Sequence, residues 1–482
     1  MLHRLDRHTA ILLVLSATVL AFAMQQSMVV PALPTLRREL HTTTEWSTWL
    51  LSGFMVAAAI TTPLVGRLGD QYGRARVLQF ALGILFLGSV GAACAWDIWS
   101  LIGFRAVQGC GGAVLPLCFS IVKEHIPARR TAVALATVSG LGGGGGAIGI
   151  MYSGVIIDHT SWRLLFATGA VVLGAAAILV GRLRLESPVR APARLDLPGA
   201  TLLAGSLLCL LLALTEANRW GWGSPNIVGL FAGAAGLLVL WARVERRSAA
   251  PMVDVRMLAR RPVLVTNLTT FVLGYALFGV WFLVPQLVQA PRGMPARDVP
   301  LLGYGLGASV TQSGLYVVSC SLALVTLAPI AGLAAKRWGG QVPLLAGMTV
   351  LAAAACCLAA WHATGWQVVV GMFGLGVGIA LAFAALPILI IAAAHPSETG
   401  VATGINMVMR TIGGVVGGQV GAALLTARTV GADRLPAESA FVIAFTACGV
   451  VAAIGAVLCL LLYRRPRHGA HALGGVDPAV SG

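Results

Sequence analysis

TTPLVGRLGDQYGRARVL, residues Thr61 to Leu78, decides how this chain is read. It lies between two long apolar runs, yet it carries Asp70, Arg67, Arg74 and Arg76 together with Gly66, Gly69 and Gly73. A joint this short has no room for a soluble domain. Small residues let two helix ends approach closely, and the charges beside them suit a latch at a membrane face.

The flanking runs belong to a strongly apolar chain. Of its 482 residues, 58% are hydrophobic and only 10% charged, and mean hydropathy is +0.87. Globular domains carry about 25% charged residues, so the chain reads as a membrane protein that crosses the bilayer many times. The formal net charge of +16 raises the question of nucleic acid. The basic residues, however, come in small groups between apolar runs, with no long basic tract, and no nucleic-acid partner is expected.

A spanning helix needs roughly 20 mostly apolar residues. Fourteen stretches qualify, at about 9–30, 46–66, 77–96, 98–122, 131–156, 163–182, 197–216, 225–243, 263–288, 313–335, 342–361, 366–394, 400–427 and 438–463. With the N-terminus inside, most of the 33 Lys and Arg residues fall in inner segments, among them Arg67, Lys123, Arg182, Arg243, Lys336 and Arg464. That asymmetry is the positive-inside pattern, and it predicts an inner (plasma) membrane protein with both termini cytoplasmic. The start of the chain reads as a first span rather than a cleaved signal, because its apolar run is long and leads into further spans.

The opening stretch has an echo. Gly66 and Gly73 are seven apart, as are Gly332 and Gly339 after the tenth span. If the spans at 197–243 are an insertion, both joints follow the second span of a six-span half. The expected plan is an all-α membrane fold with an N-terminal six-helix bundle (1–183) and a two-helix insert with its linkers (184–262). A C-terminal six-helix bundle (263–463) and a cytoplasmic tail (464–482) follow. Parallel repeats of this kind build many transporters, with the binding site near the midplane between the halves.

At these residues the chain resembles a family, the major facilitator superfamily of transporters, in its fourteen-span drug:proton antiporter group. Gly66 to Arg76 is similar to the family's G-x-L-x-D-x-x-G-R-x-R motif, and FRAVQGCGGAVLP (Phe104 to Pro116) to its R-x-x-Q-G motif in span 4. Weaker marks are MVVPALPTL (Met28 to Leu36), SWRLLF (Ser161 to Phe166) and GVATGINMVMRTIGG (Gly400 to Gly414). There are two departures. Members often carry an acid in span 1, where this chain has Gln25 followed by Gln26. The span-5 motif G-P-x-x-G-G aligns with Gly149 to Gly154, where Ile150 replaces the proline. Both fall on features that the resemblance links to proton exchange.

Several residues carry candidate roles. Gly66, Asp70, Gly73 and Arg74 form the gate latch, with Asp70 accepting from Arg74 or from the free N–H groups that open the span at Gly400, since a carboxylate suits a helix N-terminus. Lys336 stands in the acid's place in the second copy, where a cation is unfavourable, so the gate is expected to be asymmetric. Arg105 and Arg410 are the arginines placed well inside spans. The family motif implies that Arg105 modulates the protonation of a nearby acid or water, while Arg410, one turn after Asn406, lines the second-half cavity or snorkels. Gln25, Gln26, Trp281, Asn406 and Arg410 are the substrate-cavity candidates. Met24, Met55, Tyr275, Phe278, Phe282 and Phe373 suit either a greasy pocket or packing. The glycines Gly142 to Gly146 suit close helix packing or a hinge, and both readings stay open.

The nine cysteines fall in or beside apolar runs with no CxxC pair, and read as small buried hydrophobes rather than disulfide or metal ligands. Trp220, Trp222, Trp361 and Trp366 read as interfacial anchors. His125, His362 and His395 read as solvated histidines at span ends. No cofactor or metal is expected. An enzyme would need convergent ionisable residues at one depth and a channel a filter or charged ring, and neither is found. The expected activity is proton-coupled efflux of small hydrophobic molecules, cationic or neutral, by a monomer in contact with membrane lipids. The alternative is export or uniport of one endogenous metabolite or lipid without protons, and a receptor or scaffold role is remote.

Overall fold

The computed structural model describes residues 6–42, 44–185, 196–248, 255–290, 304–394, 398–430 and 435–462. The tail at 464–482 and most of both linkers around the insert lie outside them, as does His395. Fourteen helices are long and apolar enough to cross a membrane, and their positions match the fourteen expected spans.

The N-terminal bundle comprises α1 (Arg7–Ser27), continued after a break at Met28 by α2 (Val29–Glu39), then α3 (Thr44–Tyr72) and α4 (Arg74–Ala93). Its fourth span is split into α5 (Ile98–Cys110) and α6 (Val114–His125), and α7 (Ala128–His159) and α8 (Arg163–Arg182) complete it. The insert is α9 (Leu197–Trp220) and α10 (Pro225–Arg247). After the short α11 (Val255–Ala259), the C-terminal bundle follows as α12 (Arg261–Gln289), α13 (Val310–Trp338), α14 (Gln341–Ala360) and α15 (Gly365–Ala393). It closes with α16 (Thr399–Ala427) and α17 (Glu438–Leu462), joined by a two-residue hairpin of Thr429–Val430 with Leu435–Pro436.

Local sequence sets the ends of these helices. Asp97 caps α5, accepting from the backbone N–H of Ser100 at 2.8 Å, while the Ser100 hydroxyl serves the Asp97 N–H at 3.2 Å. Hydrogen bonding from the Ser100 side chain, and next from its backbone N–H, holds the Asp97 carboxyl below the usual carboxylate range. The helices α9, α10 and α12 each carry proline in their first turn, where no intrahelical N–H is needed.

The joint at Gly73 differs from expectation. The stretch around Asp70 is not a loop: α3 runs on to Tyr72 and α4 begins at Arg74. Gly73 alone makes the turn, at φ 100°, a conformation that disfavours any side chain. Gly339 does the same between α13 and α14 at φ 78°.

Packing across the bundles has a pseudo-twofold pattern. The second helix of each half lies against the fifth of the other: α3 on α16, and α13 on α7. Gly66 meets the backbone of Gly400 on α16, and its echo Gly332 meets Ala132, Val133 and Ala136 on α7. The glycines of α7 are packing residues in this arrangement. Gly140, Gly143 and Gly144 face Ala328, Leu324 and Val325 of α13, whereas Gly142, Gly145 and Gly149 face Val19, Ala23 and Met24 of α1. The insert covers the α3–α16 seam. Leu203, Leu207 and Trp241 pack with Val401 and Val408 of α16, Leu211 packs with Val56 and Ala59 of α3, and Asn218 donates to Gln419 Oε1 at 2.6 Å.

Burial corrects smaller expectations. Cys94 and Cys356 are exposed rather than buried. His362 is buried, with Nδ1 2.9 Å from the Leu358 carbonyl and Nε2 3.3 Å from Glu438 Oε1, so it is not a solvated histidine. His125 is partly buried against the Ile121 carbonyl. Phe373 is exposed on the outer surface, while Trp220, Trp222, Trp361 and Trp366 are exposed near helix ends, as anchors would be.

Candidate functional site

The latch region is a buried charge cluster where the two bundles meet. Asp70, in the last turn of α3, is 1% exposed and Arg74, at the start of α4, 2%. One Asp70 oxygen takes Nε and Nη2 of Arg74 at 3.2 and 3.0 Å. The carboxylate also reaches across to α16, accepting from the N–H groups of Gly400 at 3.2 Å and Val401 at 3.3 Å. These are first-turn N–H groups that no helical carbonyl can satisfy, and the helix dipole there favours an anion. Gly66 lets the backbones touch: a Cβ placed on it would lie 2.6 Å from the Gly400 carbonyl oxygen.

Arg74 binds two further groups that sequence reasoning missed. Nη1 donates to Glu124 Oε1 of α6 at 2.9 Å, and Nη2 to the Thr399 hydroxyl of α16 at 3.0 Å. Lys123 adds a second crossing, donating to the Ile391 carbonyl of α15 at 3.3 Å. The Lys123–Glu124 pair at the end of span 4 was the available signal for both. In the second copy Lys336 is exposed and pairs with nothing among the described residues. The charged contacts across the bundles at this end, among the described residues, are thus those of Asp70, Arg74 and Lys123, with no counterpart at Lys336.

Two cavities lie between the bundles, deeper than the latch. The first is a partly open cleft, with about 400 Å³ of empty space counting its open mouth, lined by Leu115, Pro116 and Phe119 of α6, Ser139 of α7 and Thr270 of α12. Phe383, Leu386, Pro387 and Ile390 of α15 and Thr403, Asn406, Met407 and Arg410 of α16 complete it. The second, about 330 Å³, has Phe22 and Gln26 of α1, Phe54, Met55 and Thr62 of α3, and Met407 and Thr411 of α16. Met407 borders both.

The cavity candidates separate. Asn406 and Arg410 line the first cavity and Gln26 the second. Asn406 is fixed, its amide donating to Asn267 Oδ1 at 2.9 Å and Thr270 Oγ1 at 2.8 Å. Trp281 borders neither cavity; its ring lies 3.6 Å from where a Gly146 Cβ would stand. Gln25 is also misplaced by the sequence reading. It is buried inside the N-terminal bundle, where it donates to the Ser89 hydroxyl at 2.5 Å and abuts Gly169 of α8. Adjacent helical residues point about 100° apart, and Gln26 is the one aimed between the bundles.

Arg105 has no carboxylate partner among the described residues, so of the acid or water that the family motif implies, no acid stands beside it. It is fully buried. Its Nε donates to the Leu50 carbonyl at 3.0 Å, Nη1 to Gln108 Oε1 at 2.6 Å, and the guanidinium covers the Phe54 ring at 4.5 Å. Gln108 in turn donates to Ser89 at 2.8 Å. A neutral network of Gln25, Ser89 and Gln108 thus surrounds the guanidinium.

Two helical bundles with cavities between them and a buried charge cluster at one end are the architecture of a membrane transporter. The chain belongs to the Major Facilitator Superfamily, whose profile matches residues 15–305 and 266–480. It is similar to the tetracenomycin C resistance and export protein of Streptomyces glaucescens (25% identity, 86% of this chain, 76% of that one). It also resembles the cephamycin export protein of Amycolatopsis lactamdurans (28%, 90% and 87%). It spans 57% of the length of an uncharacterized transporter of Mycobacterium tuberculosis that it matches at 28%. The fold is shared with the human organic anion transporter MFSD10 (TM-score 0.67, 16% identity, 94% of this chain and 100% of that one). It is shared too with the proton:xylose symporter XylE (TM-score 0.65, 14%, 93% and 94%).

Proposed function

We propose that this transporter exports small hydrophobic compounds across the plasma membrane by alternating access, driven by proton exchange. In this reading residues 1–183 and 263–463 are the rocking halves, and the chain works as a monomer with both termini cytoplasmic. The observation that carries it is the Asp70 carboxylate bonded across the bundle interface to Gly400 and Val401, closing one end of a cavity built from both halves. The inward bias of Lys and Arg supports assigning that end to the cytoplasmic side. Relatives named for export and drug resistance support the direction of movement.

A second reading, export of one metabolite or lipid without protons, is favoured by one observation: Gln25 and its neutral partners stand where the resemblance implies an acid beside Arg105. The two are separated in proteoliposomes with an imposed pH gradient and a fluorescent hydrophobic dye. Proton-driven export gives accumulation that a protonophore abolishes. Dye that only equilibrates, at a rate the protonophore leaves unchanged, favours the second reading. Dye movement equal to that of empty liposomes contradicts both.

A further inference from the structure

The larger cavity holds an arginine without a counter-ion. Arg410 sits on α16 about 16 Å from Thr399 along the helix axis, at 1.5 Å per residue, so its Cα is well inside the span. Its guanidinium lies 5.0 Å over the Phe383 ring, and Nη2 is 2.6 Å from the Met407 sulfur. A ring face and a thioether are weak acceptors that leave a guanidinium's full charge in place. No Asp or Glu lines either cavity. Buried carboxylates of the described residues are placed elsewhere: Asp70 and Glu124 pair with Arg74, Glu216 with Arg219, and Glu245 lies beside Gly199 of the insert. On the facing bundle, Arg105 lies behind Phe54, a wall of the second cavity, and adds positive charge of its own.

A charged side chain at membrane depth is costly and marks a partner or a pathway. Here the partner is absent from the described protein and a partly open cleft lies beside the charge. The remaining wall is apolar apart from the Asn406 amide and the hydroxyls of Ser139, Thr270 and Thr403. That combination suits a ligand with a greasy body and one negative group. A guanidinium fork binds a carboxylate or similar oxyanion with paired charge-assisted hydrogen bonds. A cation placed there would meet like charge in a low-dielectric site.

We propose that the Arg410 cavity takes the anionic group of an amphipathic organic acid, a carboxylate or a comparable singly charged oxyanion, and that cationic cargo is disfavoured. This rests on the transport reading given above and reverses the cationic or neutral cargo expected from resemblance.

The test uses three probes that share one fluorophore: dansylglycine (anionic), dansylglycinamide (neutral) and dansylcadaverine (cationic). Binding to the purified full-length protein in detergent is followed by dansyl fluorescence. The wild type binds the acid at least about tenfold more tightly than the amide or amine, the lower end of what a charge-assisted pair contributes. Arg410→Gln brings the acid and the amide to within about twofold, and Arg410→Lys retains part of the preference; thermal unfolding verifies that both variants fold. Equal affinity for acid and amide, tightest binding of the amine, no binding of the acid, or an acid preference that survives Arg410→Gln overturns the proposal. Binding in detergent needs no transport. Arg410-dependent binding without movement in liposomes would count against the export reading alone. Movement of the neutral and cationic probes alone would count against the anion site alone.

Discussion

Replacing Gly66 with alanine acts on the latch without touching its charges. The new Cβ would stand 2.6 Å from the Gly400 carbonyl oxygen and 2.9 Å from its carbon, both backbone atoms that cannot swing aside. Relief to ordinary contact requires α3 and α16 to part by roughly 0.8 Å, because packed backbones have no slack. The bonds from Asp70 to the N–H groups of Gly400 and Val401, now 3.2 and 3.3 Å, then stretch to about 4 Å and cease to be hydrogen bonds. Bonds to a charged group contribute about 1.5–3 kcal/mol each. Losing two therefore costs the closed state at least about 3 kcal/mol, roughly a 150-fold shift toward the state open at this end. Spin labels at Tyr72 and Trp338, exposed ends of α3 and α13 in opposite bundles, report the change by double electron–electron resonance. The wild type should give a short distance and Gly66→Ala a majority of longer ones. A distance distribution identical to wild type, in a variant that folds, would refute the reasoning.

Other expected outcomes follow from the same contacts. Asp70→Asn should reduce transport far more than Lys336→Ala, because only the first copy of the motif carries a buried latch; equal effects would remove the case for an asymmetric gate. Arg74→Lys should slow transport about tenfold or more, since one ammonium cannot serve Asp70, Glu124 and Thr399 as a planar fork does, and a wild-type rate would show that charge alone suffices. Asp97→Ala should lower thermal stability at neutral pH. The Asp97 pKa is depressed in the folded state, so its contribution is present above the unfolded value of about 3.9 and is lost as pH falls through the lower folded value. Melting curves of wild type and variant should converge in acid, and a gap that persists there would contradict the capping account.

The fold was legible because a membrane imposes a simple code. Runs of about 20 apolar residues mark helices, and all fourteen appear where hydropathy put them. The contact of Asp70 with the start of the Gly400 span was also readable, from the chemistry of a carboxylate and a helix N-terminus. The form of the joint was not. Gly66 to Tyr72 is polar enough to look like a loop, but Arg74 and the α16 N-terminus satisfy Asp70 inside the packed structure, so the helix continues to Gly73. Gln25 and Gln26 show a second limit. Periodicity gives the angle between neighbouring side chains, but not which of them faces the other bundle, and Gln25 turned out to serve Ser89. The glycine run of α7 had two readings because its neighbours on α1 and α13 are distant in sequence. Glu124 was hidden among basic residues at a span end, and its partner Arg74 lies fifty positions away.

Proton flux measured alongside transport tests the central claim most directly. Proteoliposomes loaded with the pH dye pyranine report luminal pH when an amphipathic substrate is added, for wild type and for Gln25→Asp. Proton-coupled export predicts a substrate-dependent pH change in the wild type, absent from empty liposomes. Wild-type transport with no proton movement, and proton flux appearing only in Gln25→Asp, would contradict it.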